Sequence, residues 1–154
     1  MRVQKLLLTI ITGVLTAILL VFGAITYFMP EESGPITAIF FLGCTGAFSV
    51  YFHIKTTALY PFADFEEPLE ELSKKYWALH ISFGLILFIL GSFMTILWFK
   101  RDADYSILGI SIFLFIIGVW TLLDVYFLNK FIISYKERLE RQEEINDIGD
   151  SSTL

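Results

Sequence analysis

Residues Tyr105–Lys130 read YSILGISIFLFIIGVWTLLDVYFLNK. The run is apolar for longer than the roughly 20 residues a helix needs to cross a hydrocarbon core. One acid, Asp124, interrupts it. The length predicts a membrane span. The acid predicts a counter-group, because a carboxylate within a span is costly and must face a partner in the bundle interior.

Three more apolar runs precede this one, at about residues 6–28, 36–54 and 76–99, and the fourth span covers about 105–128. Of 154 residues, 56% are hydrophobic and 17% aromatic, and mean hydropathy is +0.69. That is too apolar for a soluble domain of this size. The predicted fold is all-α: a polytopic membrane protein with four transmembrane helices in a bundle. Residues 1–128 make the transmembrane domain, with a loop over 55–75, and residues 129–154 make a cytoplasmic amphipathic helix and a tail, disordered from Gly149. Arg2 and Lys5 before the first run resemble the start of a signal peptide. The run exceeds the 7–15 residues of a signal core, so it reads as a retained span.

The connections carry breakers. Met29–Pro35, MPEESGP, reads as a turn. Pro68–Trp77, PLEELSKKYW, is amphipathic and is expected to run straight into the third span, with Leu69, Leu72 and Tyr76 on one face. Lys100–Asp104, KRDAD, is a tight polar turn. With both termini cytoplasmic, the inner segments hold Arg2, Lys5, Lys55, Lys74, Lys75, Lys130, Lys136, Arg138 and Arg141, against Lys100 and Arg101 outside. That asymmetry predicts an N-in/C-in protein of the plasma or bacterial inner membrane.

Net charge of −5 points away from nucleic acid. The single cysteine, Cys44, excludes an internal disulfide and a multi-thiolate metal site. Val50-Tyr51-Phe52 and Val125-Tyr126-Phe127, each followed by a lysine three residues on, end the second and fourth spans, the pattern a duplicated helical hairpin would leave.

Three polar residues fall at similar depth near the inner face: His53, His80 and Asp124. His53 shares a helix face with Ser49, Gly46 and Leu42. His80 shares one with Trp77, Gly84, Leu87 and Gly91, and Asp124 with Trp120, Thr121 and Ile117. Both histidines lie on small-residue seams where another helix packs. The expected arrangement is a buried cluster in which the imidazoles partner Asp124 and Ser49 or Thr121 completes the shell. The simplest role is a hydrogen-bonded lock on helix register. Other chemistries use the same residues: two axial histidines for haem b in an electron carrier, a metal held by His53, His80 and Asp124, or a proton-linked transporter or channel.

No nucleophile elbow, phosphate loop or HExxH motif is present. The expected function is therefore non-enzymatic: a small accessory or assembly subunit whose partners are the lipid bilayer and another membrane protein or a second copy.

Overall fold

The computed structural model describes residues 2–27, 33–57, 72–101 and 105–151. They form four helices: α1 (Arg2–Tyr27), α2 (Ser33–Thr57), α3 (Lys74–Arg101) and α4 (Tyr105–Ser151). All four are long and apolar enough to cross a membrane. Each helix packs on its neighbours in sequence, and α4 returns to touch α1. The α1–α2 and α3–α4 seams are extensive, the α2–α3 seam is smaller, and α1 and α4 meet least. The chain therefore makes two helical hairpins set side by side.

The outward surface is greasy. Ile10, Val14, Ile18, Val21, Phe41, Ile89, Phe93 and Ile116 all stand exposed. The interior holds an apolar core of Phe83, Leu87, Leu114 and Ile117. A second cluster, Phe52 and Leu128 with Leu72, Tyr76, Trp77 and Ile132 against them, closes the end of the bundle where α1 and α3 begin.

Local chemistry moves several boundaries from those the sequence predicts. α2 starts at Ser33, so Gly34 and Pro35 belong to its first turn and not to the preceding turn. Proline is tolerated there because a first-turn N–H has no helical acceptor. Helix α3 starts inside the amphipathic PLEELSKKYW segment, at Lys74. Leu72 and Ser73 are non-helical, and Ser73 caps the new helix, its Oγ accepting from Lys75 N at 3.4 Å and its carbonyl from Tyr76 N at 2.9 Å. The rest of that segment, Pro68–Glu71, lies outside the described residues. At the far end, α4 runs through Gly149 to Ser151, where the sequence predicts disorder. Its 47 residues span about 70 Å at 1.5 Å per residue.

One register underlies both hairpins. Val125 lies 75 residues after Val50, and the same shift carries two series of buried positions onto buried positions. Lys5, Leu8, Thr12 and Thr16 of α1 match His80, Phe83, Leu87 and Gly91 of α3. Gly43, Gly46, Ser49 and His53 of α2 match Gly118, Thr121, Asp124 and Leu128 of α4. Phe40 matches Phe115, and Gly34 matches Gly109. The aromatic pair from the shared tripeptide is an exception, since Phe52 is buried and Phe127 exposed.

The α3–α4 seam depends on backbone proximity. A Cβ on Gly91 would lie 2.5 Å from Phe115 N and 2.7 Å from Ser111 O, and one on Gly118 would lie 2.5 Å from Phe88 N. Backbone cannot yield as a side-chain tip can. By contrast, nothing lies within 4 Å of a Cβ added to Gly13 or Gly109. Gly91→Ala should therefore lower stability by about 1–3 kcal/mol, the range for forced overpacking. Gly13→Ala should be neutral or slightly stabilising. Unfolding midpoints in one detergent check both, and equal midpoints for the two variants would contradict the seam described.

Candidate functional site: a buried polar cluster fed by all four helices

Each helix sends polar groups to one point near the closed end of the bundle. α1 supplies Lys5, α2 supplies Ser49 and His53, α3 supplies His80, and α4 supplies Asp124. Ser49, His53 and His80 are fully buried; Lys5 and Asp124 are 2% and 8% exposed.

The counter-group of Asp124 is not an imidazole. Lys5 Nζ donates directly to Asp124 Oδ2 in a buried salt bridge. His53 Nδ1 stands 3.6 Å from the same oxygen, beyond hydrogen-bond length. His80 turns to α2 instead, its Nδ1 2.8 Å from Ser49 Oγ. The ammonium wins for a plain reason: it brings a full opposite charge to a buried carboxylate, and a neutral imidazole brings none. Thr121 is buried beside the cluster, but its Oγ1 has no hydrogen-bond partner among the described residues, so it does not complete the carboxylate's shell. Its methyl instead fills the space left by Gly84, 3.0 Å from where a Cβ there would sit.

Lys5 is the residue that reading the sequence missed. Placed ahead of the apolar run, it reads as part of a basic start and as one of the inner-side charges that set orientation. The helix, however, starts at Arg2, so Lys5 already lies on a helical face. That face continues through Leu8, Thr12 and Thr16, all buried. A stripe of threonines at helical spacing on an otherwise aliphatic helix is the signal that could have turned Lys5 inward.

The aromatic surroundings fix the rings. Phe52 stacks on His80 with centroids 4.2 Å apart and 16° between planes. His53 meets His80 edge to face, centroids 4.7 Å apart and 87° between planes. Lys5 Nζ lies 5.8 Å from the centre of the Phe52 ring, within cation–π range. Ligand atoms of His53, His80 and Asp124 lie within 4.8 Å of one another.

The two polar pairs are related by the hairpin register. Lys5 matches His80, and Asp124 matches Ser49. The bridge from Lys5 to Asp124 joins α1 to α4, and the bond between His80 and Ser49 joins α3 to α2. The same contact is thus made twice, once ionic and once neutral. Compared with known protein families, curated proteins and solved structures, the chain matches none.

Removing one partner of a buried ion pair leaves an unpaired charge and costs about 3–5 kcal/mol, whereas replacing both by apolar groups is often neutral. Lys5→Met alone should lower the unfolding midpoint sharply, and the double variant Lys5→Met with Asp124→Leu should return toward wild type. For Asp124→Leu alone the stranded ammonium sits near the start of α1 and can reach water, so its loss should be the smaller of the two. A double-mutant cycle in detergent measures the coupling, and additive losses would contradict the pairing.

Proposed function

We propose that this chain is a four-span membrane protein with both ends in the cytoplasm, which binds and positions another membrane protein and catalyses no reaction. Three features support the membrane reading. Four helices have the necessary length and hydropathy, large apolar side chains cover the outside of the bundle, and basic residues gather at one end of the spans. The membrane concerned is the plasma or bacterial inner membrane.

The observation that carries the binding role is the length of α4. At about 70 Å it is more than twice the ~30 Å hydrocarbon thickness. From Lys136 to Ile145 its described side chains are charged or polar, except Leu139 and Ile145. Ile132, Tyr135 and Leu139 lie on one stripe. Tyr135 is covered already, while Leu139 is half-buried and Ile145 exposed. A helix that projects as a rigid rod with a partial apolar stripe suits helix-in-groove recognition by a cytoplasmic partner surface. Isolation from gentle detergent at native expression should recover a stoichiometric partner. Leu139→Glu with Ile145→Glu should lose that partner and leave the unfolding midpoint of the bundle unchanged. Recovery of a lone monomer from wild type would count against the role.

One observation favours a second reading, a proton-linked transporter. Above Lys5 on α1, Thr12 and Thr16 are buried, and their hydroxyls have no hydrogen-bond partner among the described residues. Water bonded to these groups would extend a polar line from Asp124 into the bundle. In liposomes, a proton-coupled flux abolished by Asp124→Asn would support transport, and a flux unchanged in that variant would dismiss it.

A further inference from the structure

We propose that His53, His80 and Asp124 form a three-ligand site for a divalent first-row transition metal, with zinc as the reference ion, and that Lys5 holds the carboxylate when no metal is bound. Two imidazoles and one carboxylate are ligands suited to zinc or non-haem iron. They come from α2, α3 and α4, all are buried, and their ligand atoms lie within 4.8 Å of one another. Around a tetrahedral ion with bonds near 2.1 Å, ligand atoms stand roughly 3.4 Å apart. Small side-chain rotations of about 1 Å per ligand close the difference.

The contacts of His80 leave one ring nitrogen for a ligand. Its Nδ1 meets Ser49 Oγ at 2.8 Å. With Nδ1–H donating to Ser49, Nε2 presents a lone pair. That nitrogen is fully buried and has no hydrogen-bond partner among the described residues. A metal-ligating histidine almost always donates its other ring N–H in this way, which fixes the tautomer and the ring orientation.

The hairpin register supplies an independent argument. In the second hairpin, the position equivalent to His53 is Leu128, also fully buried. An aliphatic side chain therefore fills that register without difficulty. An imidazole at His53 is not demanded by packing, and its nitrogens are the property that leucine lacks. The same comparison sets Asp124 against Ser49: a small neutral hydroxyl suffices in one hairpin, and the other carries a carboxylate.

Lys5 supplies the exchange. Its ammonium occupies Asp124 Oδ2, so metal binding replaces one counter-charge by another and leaves no bare carboxylate in either state. Lys5 lies in the first two turns of α1. Its four-carbon stem can carry the released ammonium to the aqueous interface, as lysines near helix ends do.

The experiment uses the full-length chain in detergent, stripped with chelator and titrated with Co²⁺ as a spectroscopic probe and with Zn²⁺ in competition. Wild type should bind one Co²⁺ per chain, with visible ligand-field bands that Zn²⁺ abolishes. His53→Leu, which copies the residue at the equivalent position, should keep the unfolding midpoint and lose at least tenfold in affinity. His80→Ala should lose the bands. Lys5→Met should bind at least tenfold more tightly, and Zn²⁺ should restore part of its lowered midpoint. Absence of stoichiometric Co²⁺ binding to wild type, or a folded His53→Leu that binds as wild type does, would overturn the proposal. Midpoints unmoved by Zn²⁺ in Lys5→Met would do so as well, because they would show that no ion takes the place of the ammonium.

Discussion

An ammonium and a carboxylate buried in an apolar bundle each carry a desolvation cost of several kcal/mol, which only close mutual contact offsets. The Lys5–Asp124 bridge makes that contact between the first helix and the last. These are also the two adjacent helices with the least other contact. The bridge therefore sits where apolar packing is thinnest and closes the ring of four helices. In a helix that is greasy on every side, hydrophobicity does not decide which face turns inward. A charge that must find its partner does decide it. Lys5 sets the rotation of α1, Asp124 sets that of α4, and the threonines on the Lys5 face follow inward.

The two hairpins are held by different means. Within the α3–α4 hairpin, Gly91 and Gly118 bring backbones together until no Cβ fits between them. This is packing of the kind that drives helix association where no water is expelled. Between hairpins, polar side chains replace that proximity: Lys5 with Asp124 on one side, His80 with Ser49 on the other. Small residues thus help build each half, and polar contacts join the halves together with the packing of Phe52 against Trp77 and Leu128. Interhelical polar contacts in membranes are worth about 1 kcal/mol each. That is enough to fix the register between hairpins.

Four helices were legible in the sequence because each apolar run is long and each is bounded by breakers. The depth and facing of His53, His80 and Asp124 were legible because helical spacing relates each to small residues on its own helix, and the structure sets the three at one point. Partner choice was not legible. It depends on how far α1 extends below its apolar run, and on a contact spanning 119 positions of chain. Helical periodicity carries no information at that separation. The start of α3 at Lys74 was hidden for a related reason: PLEELSKKYW has helical spacing throughout, and a serine cap differs from an ordinary helical serine only through its backbone. Likewise Pro35 reads as a breaker until the start of α2 places it in a first turn, where it breaks nothing.

The repeated register sets the four polar residues in two like contacts. A hairpin that meets a like hairpin side by side presents the same two positions twice: one on its first helix, facing one on the second helix of its neighbour. In this chain the four positions hold Lys5, Ser49, His80 and Asp124. Filling both contacts with ionic pairs would bury four charges at one depth, with like charges held close together. Filling both with neutral pairs would leave nothing strong enough to orient α1. One ionic and one neutral contact orients the helices with a single buried pair. It also places a histidine–serine pair next to a carboxylate, and His53 adds a second imidazole from the side. The cluster is asymmetric within a nearly symmetric frame, and that asymmetry sets nitrogen and oxygen ligands around one point.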